Sequence, residues 1–183
     1  MARNALVVVA LLLAACGSSS GPDTAVIQSF NTASQIVSGA VTAYGVQAAA
    51  MTSLASCGDA QGNYDAQARP MVAEMQGMGP MMDSMMGSMG HMDEGDMTCS
   101  ANAMLAELNR HRAVACASTT DMAPNQAEAR QHVASMSQWA DHAMNRSRDL
   151  GSMAGMGMGG MMGSGTTTGR CVHGTDGAYT LQP

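Results

Sequence analysis

Methionine has the most conspicuous spacing in this chain, supplying 21 of its 183 residues. Met71, Met75, Met78, Met82, Met85, Met89 and Met92 follow one another in alternating steps of four and three. Met81 and Met86 thicken the row, and His91 adds an imidazole. Met78, Met81, Met82, Met85, Met86, Met89, His91 and Met92 thus form one soft-donor set. A thioether sulfur is uncharged, polarizable and has no proton to lose, so it suits Cu(I) or Ag(I) where a thiol would be oxidised. A second set, Met153, Met156, Met158, Met161 and Met162, lies in a Gly-rich stretch able to wrap around an ion. The bland counterpart is methionine as adaptable core filler in place of leucine. Core filling accounts for the regularly spaced positions. It does not account for Met81, Met86 or the tail, which have no expected helical face to fill.

His111, His132, Met136 and Trp139 form a secondary metal candidate. If two helices flank a turn near residue 121, His111 lies level with His132, Glu107 with Met136 and Met104 with Trp139. Ordinary packing is the preferred reading of these residues, with Trp139 as a core anchor and each His bonded to a Glu across the helix pair. Glu107/His111 and Glu128/His132 repeat a carboxylate–imidazole pair, but at i,i+4. Ferritin-like di-metal bundles use Glu-x-x-His and a Glu from each of two further helices. Thr24 to Ser56 contains no acid, so a di-metal centre is not expected.

In composition, though not in alignment, the Met and His clusters resemble the Met/His-rich copper- and silver-binding proteins of bacterial envelopes. That resemblance implies Cu(I) or Ag(I) as the bound species and no organic cofactor. No CxxCH, GxSxG, HExxH or GxxxxGK[ST] motif is present, and no enzyme is expected. Fourteen acids against eight bases, with no basic cluster, argue against nucleic acid as a partner.

The elements that must position these residues read as helices. Leu, Ile and Phe are scarce, and the Ala and Met that replace them favour helix over strand. Ile27, Phe30, Ser34, Val37, Val41, Tyr44, Ala48 and Met51 recur at three- and four-residue steps, which predicts a first helix over 24–55 ended by Cys57-Gly58. A polar loop to about Asn63 should follow, then a helix over 65–89 that Pro80 kinks or splits. A third helix is expected from about Cys99 to Ala117, and a fourth from Pro124 until Gly151 terminates it. Residues 151–169 are low-complexity Gly, Met, Ser and Thr. The predicted fold is an all-α, antiparallel up-down-up-down four-helix bundle over 24–150, followed by a flexible Gly/Met-rich tail over 151–183 that a disulfide anchors.

Four cysteines remain after Cys16. In that topology Cys57 and Cys116 lie at one end of the bundle and Cys99 and Cys171 at the other, so the expected disulfides are Cys57–Cys116 and Cys99–Cys171.

Residues 1–16, MARNALVVVALLLAAC, combine Arg3, an apolar run too short to span a membrane as a mature helix, and small residues before a cysteine. Leu13-Ala14-Ala15-Cys16 resembles the lipobox of bacterial lipoproteins. That resemblance implies a signal peptide over 1–15, lipidation of Cys16, a flexible tether over 16–23 and membrane attachment through lipid. Gly17 in place of Asp favours the outer membrane, facing the periplasm. The expected function is therefore an envelope lipoprotein that buffers or delivers Cu(I) or Ag(I). The alternative is a structural lipoprotein whose Met-lined groove binds an envelope protein partner. A third reading is a methionine-based oxidant sink.

Overall fold

The computed structural model describes residues 24–88, 95–155 and 169–182, with the side chains of 153–155 left aside. Four helices, α1 (Thr24–Ala49), α2 (Leu54–Ser88), α3 (Asp96–Val114) and α4 (Met122–Gly155), precede a two-stranded antiparallel hairpin, β1 (Arg170–His173) and β2 (Tyr179–Gln182). Each helix packs on its neighbours in sequence and α4 closes back on α1, which is the predicted up-down-up-down bundle. Every expected inward position of the first helical segment, from Ile27 to Met51, is buried. Ser34 is tolerated there because its hydroxyl donates to the Phe30 carbonyl.

The second helix begins earlier than its sequence suggests. Ser53 and Ser56 form a reciprocal cap: the Ser56 amide donates to Ser53 Oγ at 3.2 Å and the Ser53 amide to Ser56 Oγ at 3.1 Å. This starts α2 at Leu54, so Cys57-Gly58 lies inside a helix and the expected polar loop is helical. Pro70 and Pro80 both lie within α2, yet it runs unbroken. Both face solvent, where the carbonyls they free can reach water, and packing on α1 and α3 holds the helix straight enough to continue.

Helix α3 also starts early, at Asp96, because α2 caps it. The Asp83 carboxylate accepts from the Met97 amide at 2.8 Å and the Thr98 amide at 3.1 Å, a negative charge on the positive end of the helix. Gly95 supplies the left-handed turn (φ 92°) that leads into it. Close approach is needed here: a Cβ on Gly79 would sit 2.9 Å from the Thr98 Cα. Asp121 caps α4 by accepting from the Ala123 amide at 2.9 Å. Gly151 does not end α4, which continues to Gly155, with Gly151 lying against Ile27.

The two disulfides are Cys57–Cys116 and Cys99–Cys171, with Cα separations of 5.8 and 5.9 Å, as the topology required. The second ties the hairpin, an element without a counterpart in the sequence reading, to the start of α3. Among the described residues no helix is long and apolar enough to cross a membrane.

Candidate functional site

The centre of the bundle holds a buried polar network built from two Tyr–His–Glu chains that draw on all four helices. Tyr44 on α1 donates its hydroxyl to His111 Nε2 at 2.8 Å, and Tyr64 on α2 donates to His132 Nε2 at 3.0 Å. The opposite ring nitrogens meet carboxylates: His111 Nδ1 lies 3.1 Å from Glu128, and His132 Nδ1 lies 2.8 Å from Glu107. An ionised carboxylate only accepts, so each Nδ1 carries the proton and each Nε2 accepts from a phenol. Arg110 joins the two halves, reaching Glu107 at 2.7 Å and Glu128 at 2.8 Å. The two imidazoles stack with centroids 3.9 Å apart, and the two phenols stack at 4.7 Å.

The electrostatics follow from burial and these partners. Burial, reinforced by the neighbouring His132, lowers His111 to about 4 despite the attraction of Glu128. Burial pushes Glu107 up, but hydrogen bonds from Arg110 and His132 and the charges behind them outweigh it and hold the carboxyl at about 2. Burial and the Glu128 charge push the Tyr44 phenol up to about 12, and burial drives Tyr64 up as well. The network therefore holds a neutral His111, with the Glu107 and Glu128 carboxyls ionised and both phenols protonated.

His111 and His132 are thus brought together as the sequence predicts, and each is bonded to a Glu across the α3–α4 pair. Glu107 meets His132 there, whereas it was expected level with Met136. Both ring nitrogens of each His are occupied by protein partners, so neither offers a free lone pair to a metal. Met136 and Trp139 are buried core residues. Tyr44 was legible only as an apolar inward position, and Tyr64 fell in the expected loop. The spacing of Cys57, Ala60, Tyr64 and Ala68, all buried, carries the signal that extends the helix back through it.

A second buried cluster sits nearer the hairpin. Asp96 accepts from the Cys171 amide at 2.7 Å, pairs with Arg146 at 2.8 Å and lies 3.1 Å from His142 Nε2. It welds α3, α4 and β1 together. Between α2, α3 and the hairpin an open cleft is lined by Asp83, Asn102, His173 and Tyr179, but its carboxylate is already spent on the amides of α3.

The methionines divide by position around α2. Met75, Met82 and Met86 are fully buried, so Met86 fills a core face that the sequence reading denied it. Met71, Met78 and Met85 are half-buried, and Met81 is 52% exposed. Met89, His91, Met92, Met156, Met158, Met161, Met162 and Cys16 lie outside the described residues, as does the side chain of Met153. Among the described residues no group of three or more His, Cys, Asp or Glu is arranged to hold a metal ion. Comparison of the chain with models of known families, with curated proteins and with solved structures gives no match.

Proposed function

We propose that this protein is a lipid-anchored envelope protein that binds Cu(I) or Ag(I) through thioethers on one shoulder of α2. The observation that carries the reading is the partial exposure of Met78, Met81 and Met85, spaced i, i+3 and i+7 beside the buried row of Met75, Met82 and Met86. Side chains three and four apart on a helix are neighbours. Methionine has enough rotatable bonds for two such sulfurs to converge on one soft ion. The same shoulder leads towards Met89 and Met92 in sequence, which would extend the ligand row. Two disulfides are in keeping with an oxidising compartment, where thioethers survive as metal ligands and free thiols do not.

An anaerobic competition titration of Cu(I) into the folded, disulfide-intact chain tests this reading. Saturable binding that is lost in Met78→Leu/Met81→Leu/Met85→Leu, and kept in Met75→Leu/Met82→Leu, is the expected result. No binding above the level of the triple variant would remove the metal and leave the partner-groove reading, because leucine preserves a greasy surface.

A further inference from the structure

We infer that Tyr44 and Tyr64 form a buried one-electron redox site, at which a phenol gives an electron to a strong one-electron oxidant while its proton stays inside the bundle on a histidine. The inference uses neither the methionines nor a metal, and it stands apart from the reading above.

An electron taken alone from a phenol in an apolar core would leave an uncompensated positive charge there. The loss becomes accessible when a base within hydrogen-bond reach takes the hydroxyl proton in the same step. Tyr44 has such a base in His111, whose Nε2 lies 2.8 Å from its hydroxyl, and Tyr64 has His132 Nε2 at 3.0 Å. Two of the chain's three tyrosines are thus aimed at an imidazole nitrogen. A carbonyl in that place would accept the hydrogen bond but could not keep the proton. The low value of His111, about 4, leaves it unprotonated and able to accept at neutral pH.

The surroundings favour the oxidised state in two further ways. A carboxylate stands behind each imidazole, Glu128 at 3.1 Å from His111 and Glu107 at 2.8 Å from His132, where it would stabilise an imidazolium. Glu107, Glu128 and the Arg110 that bridges them sum to one negative charge, so removing an electron beside them offsets a buried charge. The two phenol rings also stack, with centroids 4.7 Å apart and planes 23° apart, so an electron-poor ring on either residue faces the electron-rich face of the other.

Burial protects the product. Tyr44 is 1% and Tyr64 3% exposed, so neither ring can couple with a second molecule. Side chains at the centre of a four-helix bundle lie about one helix diameter, roughly 10 Å, from solvent. An electron crosses that distance without the oxidant entering.

An organic peroxyl radical represents the class of oxidant. It takes one electron from Tyr44 and becomes a peroxide anion, which picks up a proton from solvent. The Tyr44 O–H bond breaks and an N–H bond forms at His111 Nε2, leaving a neutral phenoxyl beside an imidazolium. One electron from a reductant returns the proton to the phenol and restores the pair.

The test is flash photo-oxidation of the disulfide-intact chain carrying Cys16→Ser, since a free thiol would itself give up an electron. The oxidant is photogenerated tris(bipyridine)ruthenium(III), too large to enter the core, and the radical is freeze-trapped for electron paramagnetic resonance. The expected signal is a phenoxyl that narrows when the tyrosines are ring-deuterated and that persists in Tyr179→Phe. It should carry one well-defined coupling to an exchangeable proton, lost in D2O, which marks the hydrogen bond from imidazolium. Tyr44→Phe/Tyr64→Phe should lose this signal while keeping its helical circular dichroism. If that double variant fails to fold, Tyr179→Phe alone decides. A phenoxyl that disappears in Tyr179→Phe would overturn the proposal. So would a radical confined to Trp139, or a phenoxyl without the exchangeable coupling, whose proton has left for solvent.

Discussion

His111 and His132 lie face to face at the centre of the bundle, ring planes 10° apart and centroids 3.9 Å apart. Two imidazoles at that distance cannot both take a proton cheaply, even with a carboxylate behind each. The low value of His111, about 4, follows from burial first and from this neighbour second.

Acid should therefore destabilise the fold in two stages. A folded value of about 4 for His111 lies below the ordinary 6.5, so the unfolded chain takes up that proton first. Its contribution is intact above pH 6.5 and is lost as pH falls towards 4, by up to about 3 kcal/mol. Glu107, held at about 2, adds a second loss as pH falls from 4.5 towards that value. Urea midpoints measured from pH 7 to pH 2.5 should trace both stages, and His111→Gln should flatten only the first. A midpoint that is constant between pH 7 and pH 5 would contradict the assignment.

Removing either phenol leaves a buried imidazole nitrogen without its donor. Tyr44→Phe and Tyr64→Phe should each cost about 1–3 kcal/mol. The double variant should depart from additivity, because both belong to one hydrogen-bonded network. Denaturant unfolding of the four proteins of the cycle measures this directly, and strict additivity would mean that the two halves act separately.

The methionine row is half core and half surface, and truncation should separate the halves. Met86→Ala removes a fully buried side chain and should cost about 2–5 kcal/mol. Met81→Ala, at an exposed site, should stay within about 0.5 kcal/mol. Thermal melts of the two variants decide it; similar losses would mean that Met81 packs against something.

Replacing Cys99 and Cys171 by Ser should cost about 2–4 kcal/mol. It should also raise amide exchange across 170–182, while the helical backbone amides around Tyr44, Tyr64, His111 and His132 keep their protection. Exchange mass spectrometry reads both regions at once. Unchanged exchange in the hairpin would show that Asp96 and its partners hold it without the disulfide.

What the sequence made legible was whatever repeats or follows from connectivity. Three- and four-residue spacing located the inward face of α1, and topology alone chose both cysteine pairs. The rest depended on interactions between distant residues. Asp83 caps α3 from another helix, and no local pattern announces that Met97 and Thr98 will find its carboxylate. Ser53 and Ser56 cap α2 without the acidic residue that usually marks such a box, so a helical start read as a loop. The His111–His132 pairing followed from the turn position, but their phenol partners did not. Tyr44 looks like any inward aromatic, and Tyr64 belongs to a segment whose polarity hides its helical period.

The disulfides also divide the molecule mechanically. Cys57–Cys116 and Cys99–Cys171 close two overlapping loops that together run from residue 57 to residue 171, and α1 lies outside both. A pull applied through the N-terminus would thus be resisted by side-chain packing and hydrogen bonds such as Tyr44–His111, and by no cross-link. Under such a load α1 should peel away from α2 and α4 first, exposing Tyr44 and the apolar face beneath it. The remaining three helices and the hairpin would stay a covalently closed unit with little chain left to extend.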